Sequence, residues 1–115
     1  MSYTLFLDDI RDPPWQLGHD VLIARNNRQF MRAFIDFGVP EVISFDHDLG
    51  EDDASAMYSL HWIIDRHLDG DCDLSSVKQV FVHSANPAGA LNLQSLWDSF
   101  ASSMGFETRA VLRPA

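Results

Sequence analysis

The chain has 115 residues, 46% of them hydrophobic, and carries 8 Lys and Arg against 17 Asp and Glu for a net charge of −9. That is the size of one domain, spanning residues 1–115, with core enough to fold without a metal or disulfide. The charge excludes broad binding to a nucleic-acid backbone, which needs clustered cations. Cys72, the single cysteine, excludes a disulfide framework and a cysteine-rich zinc site and suggests a reducing compartment. No basic leader and no apolar run near the roughly 20 residues of a membrane span is visible, so the expectation is a soluble, cytoplasmic protein without membrane partners.

In chain order, the first apolar run, residues 4–7, predicts a buried strand that stops at Asp8-Asp9. The segment 10–20 holds Pro13 and Pro14, which discourage a helix. Trp15 is read there as a loop anchor in preference to a base-stacking ring, and His19 as structural. Residues 21–24 predict a second strand, reached either by a short irregular crossover or placed elsewhere in the sheet. A helix over 27–37 follows, with Asn26 as its cap, Gln29 as a capping-box partner, Phe30, Phe34 and Phe37 at helical spacing, and Gly38 then Pro40 at its end. Residues 41–45 predict the third strand. A helix over 54–68 presents Met57, Leu60, Ile64 and Leu68, with Asp52 or Asp53 suited to its positive N-terminus. His61 and His67 on that helix read as surface or core residues. Residues 77–82 form a fourth strand. The helix over 87–104 starts on Pro87 and buries Leu93, Leu96, Trp97, Phe100 and Met104. A fifth strand over 108–112 precedes Arg113-Pro114. Strands and helices that alternate in this way imply an α/β sheet with parallel pairing, and strands apolar throughout imply cover on both faces.

In such a sheet, ligands bind beyond the carboxyl ends of the strands. The first strand ends in Asp8-Asp9 with Arg11 close behind. The third ends in Asp46-His47-Asp48, the fourth in His83-Ser84-Ala85-Asn86 and the fifth in Arg113. Clustered carboxylates repel unless a cation or proton intervenes. Mg²⁺ or another hard divalent cation on Asp8, Asp9 and Asp46 is the simplest resident, and it would accept phosphate oxygens. Ser84 and the N-terminal amides of the following helix suit a phosphate oxygen, Arg113 suits charge balance on a phosphoryl group, and His47 and His83 suit proton transfer near neutral pH, while Arg11 fits pairing with Asp8 or Asp12 as well as contact with substrate and Asn86 by itself reads as a helix start.

The order of these motifs resembles the receiver domain of bacterial response regulators over nearly the whole chain. LFLDD matches the acidic pair, VISFD the phosphoacceptor Asp46, VFVHSA the Ser84-Ala85 step, and Arg113-Pro114 the usual Lys-Pro pair. The resemblance implies a flavodoxin-like, three-layer single domain with a mostly parallel five-stranded sheet in order 2-1-3-4-5. The first crossover helix and the last helix are reduced or missing, and Arg113 stands where receivers carry lysine. LDDIRDP, Trp15, SFDHDLG and HSANPAGA with Asn92 resemble, more closely still, the cyclic-phosphate processing branch of that superfamily. Ser55-Ala56 departs from the small residue and Gly expected of it.

What this resemblance implies is a metal-dependent phosphoric ester hydrolase of the cyclic phosphodiesterase type. Its substrate would be a small phosphorylated or cyclic nucleotide or an RNA terminus, as in RNA repair. Asp46, His47 and His83 would be catalytic, and Arg11, Ser84, Asn86 and Arg113 would bind substrate. Asp46 serves there either as nucleophile or only as a metal ligand. The alternatives are a receiver-type phosphoacceptor switch on Asp46 and a non-catalytic cyclic-nucleotide binder.

Overall fold

The computed structural model describes residues 2–13 and 20–114; Pro14, Trp15 and His19 lie outside the described residues. The elements run β1 (Thr4–Leu7), β2 (Val21–Ala24), α1 (Asn27–Phe37), β3 (Val42–Phe45), α2 (Met57–Leu68), a 3₁₀ turn at Leu74–Ser76, β4 (Gln79–Val82), α3 (Pro87–Met104) and β5 (Ala110–Leu112). All neighbouring strands pair in parallel in the order β2-β1-β3-β4-β5, which is the expected receiver-like topology. β2 therefore sits at one edge, against β1, and the question of its placement is answered.

The core lies between the sheet and the helices. Alternate residues of the strands, among them Leu5, Leu7, Ile43, Phe45, Val80 and Val82, pack with Phe30 and Phe34 of α1, Leu60 and Ile63 of α2, and Leu93 and Trp97 of α3. α1 packs on α2 and α2 on α3, so the helices form one contiguous layer. Each of the three connections that carry a described helix, β2 to β3, β3 to β4 and β4 to β5, moves the chain the same way across the sheet, and right-handed connections of that kind place their helices on the same side. The described helices thus cover one face of the sheet. On the other face stand the intervening residues Thr4, Phe6, Val42, Ser44 and Phe81, which are also buried.

Several predicted boundaries move, for physical reasons. α2 begins at residue 57 rather than 54 because the carbonyls of Ala54 and Ser55 are turned toward the Asn27 side chain, whose Nδ2 donates to them at 2.9 and 3.2 Å. Asp53 does not cap α2; its carboxylate accepts instead from the backbone and side-chain amides of Asn27. β4 begins at residue 79 because Asp73 caps Ser75 and draws Leu74–Ser76 into the 3₁₀ turn. Gln29 does not complete a capping box with Asn26: it accepts from the backbone N–H of Arg25. Ile35, Phe37, Leu68 and Met104, at or near helix ends, remain exposed.

Asn27 is the polar joint of this layer. Its buried amide also accepts from Ser59 Oγ at 2.5 Å, so the first turn of α1, the loop before α2 and α2 itself meet on one side chain. Asn27→Ala removes four hydrogen bonds, leaving the Ser55 carbonyl only the Tyr58 N–H, and is expected to cost about 3 kcal/mol in urea unfolding. Asn26→Ala, which loses only the helix cap at Gln29 N–H, is expected to cost about 1 kcal/mol.

Candidate functional site

Register builds the site. Leu7 lies opposite both Ala24 and Phe45, Phe45 opposite Val82, and Val82 opposite Leu112. The residues one step further, Asp8, Arg25, Asp46, His83 and Arg113, therefore stand in one row across the carboxyl edge. The ladder continues into that row: the N–H groups of Asp8, Asp46, His83 and Arg113 donate to the carbonyls of Ala24, Leu7, Phe45 and Val82 at 2.7–3.0 Å. Side chains alternate along strands, so Asp8, Asp46 and His83 share the face of Phe6, Ser44 and Phe81.

Asp8, Asp9 and Asp46 come together, each offering a carboxylate oxygen within 4.8 Å of the others. Asp8 is fully buried and largely committed. Its Oδ1 accepts from the N–H groups of Ile10 and Arg11 at 3.0 and 2.8 Å, and its Oδ2 lies 3.1 Å from His83 Nε2 and 3.4 Å from Arg11 Nη1. Asp46 is 3% exposed, and its carboxyl is pushed up to about 6. Burial is the main cause; the negative charges of Asp8 and Asp9 add to it, and Arg11 and a hydrogen bond from Ser84 work against it. A buried acid held up by two neighbouring acids is a deficit of positive charge. An all-oxygen donor set of this kind fits a hard divalent cation such as Mg²⁺, with Asp9 and Asp46 the less committed carboxylates and Asp8 behind them.

A cavity of about 280 Å³ opens over this cluster, lined by Asp9, Arg11, Asp46, Asp48, Gly50 and Ser84 with Ile10 and Ala85. Ser84 reaches both ways: its hydroxyl donates to Asp46 and accepts from the Asn86 N–H at 3.1 Å. Asn86 caps α3 through Gly89 N–H, while its Nδ2 lies 3.3 and 3.4 Å from the two oxygens of Asp48. Asp48 in turn lies 2.7 Å from His47 Nδ1, and these contacts hold its carboxyl below the usual range, His47 first among them. His47 thus sits at the rim, joined to the cavity through Asp48. Its ring lies directly against Gly89, where an added Cβ would fall 2.4 Å from the ring carbon Cγ.

Of the predicted residues, Asp9, Arg11, Asp46 and Ser84 line the cavity, while Asp8, His47, Asn86, His83 and Arg113 stand outside the lining. His83 is buried behind Asp8, with both ring nitrogens engaged, and burial lowers its pKa. Arg113 lays its guanidinium over the Phe81 ring, 4.0 Å from the centroid. Sequence reasoning missed two participants. Asp48 was legible only as part of the DHD run. Arg25 ends β2, and its Nη1 donates to the carbonyls of Asp8 and Arg11 at 3.3 and 2.6 Å while Nη2 pairs with Asp12 at 2.6 Å. The loop after β1 is braced by this one side chain, and an arginine ending a strand gives no sequence signal of that.

A parallel five-stranded sheet in this order, with an acidic cluster and a serine at its carboxyl edge, defines a receiver-type domain. The chain belongs to the cyclic-phosphate processing receiver domain family, whose profile matches residues 3–99. No curated protein and no solved structure matches it significantly.

Two outcomes follow from this geometry. An acid whose pKa is raised on folding stabilises the protein below its unfolded value near 4 and loses that contribution as pH rises through about 6. Without divalent cations, Asp46→Asn is therefore expected to become progressively more stable than the parent between pH 4.5 and 7.5, by up to about 3 kcal/mol. His83 acts in the opposite sense in both proteins, so the difference between their unfolding curves isolates Asp46. Gly89→Ala should gain about 1 kcal/mol from helix propensity alone. Because the new methyl occupies the place of the His47 ring, the expected result is instead no rise in melting temperature and displaced His47 imidazole signals in NMR spectra.

Proposed function

We propose that the protein is a metal-dependent phosphoesterase that opens cyclic phosphates on nucleotides or at RNA ends. The observation that carries this reading is the convergence of Asp8, Asp9 and Asp46 beneath a cavity that Arg11, Asp48 and Ser84 also line. A divalent cation held by Asp9 and Asp46, with Asp8 behind them, would polarise the phosphoryl group and offset its charge.

The remaining work falls to the chain's own groups. Arg11 and the Ser84 hydroxyl hold phosphate oxygens. Asn86, engaged with Asp48 and with the start of α3, fixes the wall on which the phosphate rests and so supports binding from behind. His47 and Asp48 form the proton-transfer pair. With Nδ1–H donating to Asp48, Nε2 carries the lone pair and accepts a proton from water. The water oxygen bonds to phosphorus, one ring P–O bond breaks, and the freed ribose oxygen takes up the proton, leaving a phosphomonoester. Arg113, stacked on Phe81, balances charge on the phosphoryl group only by leaving that ring. Among the described residues no helix is long and apolar enough to cross a membrane, which agrees with a dissolved substrate.

The test is incubation with 2′,3′-cyclic nucleotides and with oligonucleotides ending in a cyclic phosphate, with Mg²⁺ or Mn²⁺ present. Turnover to phosphomonoester is expected, with a loss of about 10²–10⁴-fold in His47→Ala and a loss at least as large in Asp46→Asn. A stable acyl phosphate on Asp46 with no ester hydrolysis would select the phosphoacceptor switch. Tight nucleotide binding without product would select the non-catalytic binder.

A further inference from the structure

Behind the acid cluster lies a line of buried polar groups that the hydrolytic reading does not use. Ser44 is fully buried in β3 and His83 is buried just past β4. Ser44 Oγ lies 2.6 Å from His83 Nδ1, and His83 Nε2 lies 3.1 Å from Asp8 Oδ2. The imidazole lies flat on Phe6, ring centroids 4.5 Å apart and planes 7° from parallel, so its plane is set by packing as well as by hydrogen bonds. A carboxylate only accepts, so Nε2 bears the hydrogen toward Asp8; the neutral ring then accepts the Ser44 hydroxyl at Nδ1. Three residues from three adjacent strands or strand ends form one satisfied chain in a face that also buries Thr4 and the apolar Phe6, Val42 and Phe81. Apolar residues in the places of Ser44 and His83 would leave the buried Asp8 Oδ2 with only Arg11 Nη1 at 3.4 Å, so the chain serves the acid cluster as well as the sheet.

We propose that Ser44 and His83 are positioning residues that lock the Asp8 carboxylate in the orientation the divalent-cation site requires. Ser44 anchors the ring at Nδ1 and His83 holds Oδ2, while the N–H groups of Ile10 and Arg11 hold Oδ1. Neither residue meets substrate. The inference rests on the reading of the acid cluster as a cation site, and it stands apart from the hydrolysis proposed for it. Partners one step behind a metal ligand commonly contribute 10–100-fold to metal affinity.

The experiment measures Mn²⁺ and Mg²⁺ dissociation constants by calorimetric titration of the full chain, for the parent, Ser44→Ala, His83→Gln and the double variant, with ¹⁵N shifts of the His83 ring recorded alongside. Ser44→Ala is expected to weaken Mn²⁺ binding about tenfold or more. The double variant is expected to be no weaker than His83→Gln, because Ser44 acts through His83. The Nδ1 shift is expected to lose its hydrogen-bonded value in Ser44→Ala, a signature that a merely structural serine would not move in step with affinity. Should Ser44→Ala not fold, Ser44→Cys, close in volume and a weak donor, carries the same comparison. A dissociation constant within twofold of the parent's, additive losses in the double variant, or a parent that binds neither ion overturns the proposal. Because metal affinity is read without turnover, an inactive protein that shows the expected losses keeps the relay and loses only the hydrolytic reading.

Discussion

Parallel register is the constraint on which the rest of this molecule depends. Side chains alternate along a strand, so one residue of slippage would exchange the two faces of that strand. It would turn Leu5 and Leu7 away from the helices, and it would carry Asp8 away from Asp46 and His83 in the same movement. Folding and site assembly are thus one event here. The apolar residues that fix the pairing by burial also fix which polar residue follows each strand, and on which side of the sheet it stands.

The electrostatic consequence is a site that carries stored repulsion. Asp46 is nearly inaccessible, close to two further acids, and Arg11 and Ser84 compensate it only in part. Structural turns place such acids in solvent, where repulsion is cheap. Here the backbone ladder and the buried Ser44–His83–Asp8 chain hold the acids under the cavity, and the arrangement is satisfied only when positive charge arrives from outside the protein.

Much of this was legible in the sequence because it depends on local pattern. The short apolar runs marked every strand, Asn26, Gly38 and Pro87 marked helix ends, and the acids following the first and third strands marked the site. What the sequence concealed were contacts between distant residues with no periodicity. Asn27 reads as one more polar residue in a helix start, yet it shifts the beginning of α2 by three residues. His83 reads as proton-transfer chemistry at a strand end, and only the third dimension shows Ser44 on one side of it and Asp8 on the other. Arg113 was expected at the phosphate because it follows a strand, but the neighbouring Phe81 ring offers its side chain a stacking partner first. The strands were apolar on both faces, as a doubly covered sheet requires, while the described helices cover only one.

The hold of Arg25 on the loop after β1 ties the carboxyl edge to a strand at the border of the sheet. A border strand has a neighbour on one side only and is the first part of a sheet to fray. The shape of the loop bearing Asp9 and Arg11 therefore rests on an edge of the scaffold as well as on the hold of Asp8 Oδ1 on the N–H groups of Ile10 and Arg11. Whatever grips or loosens that margin, from well outside the acid cluster, has a mechanical handle on the shape of the site.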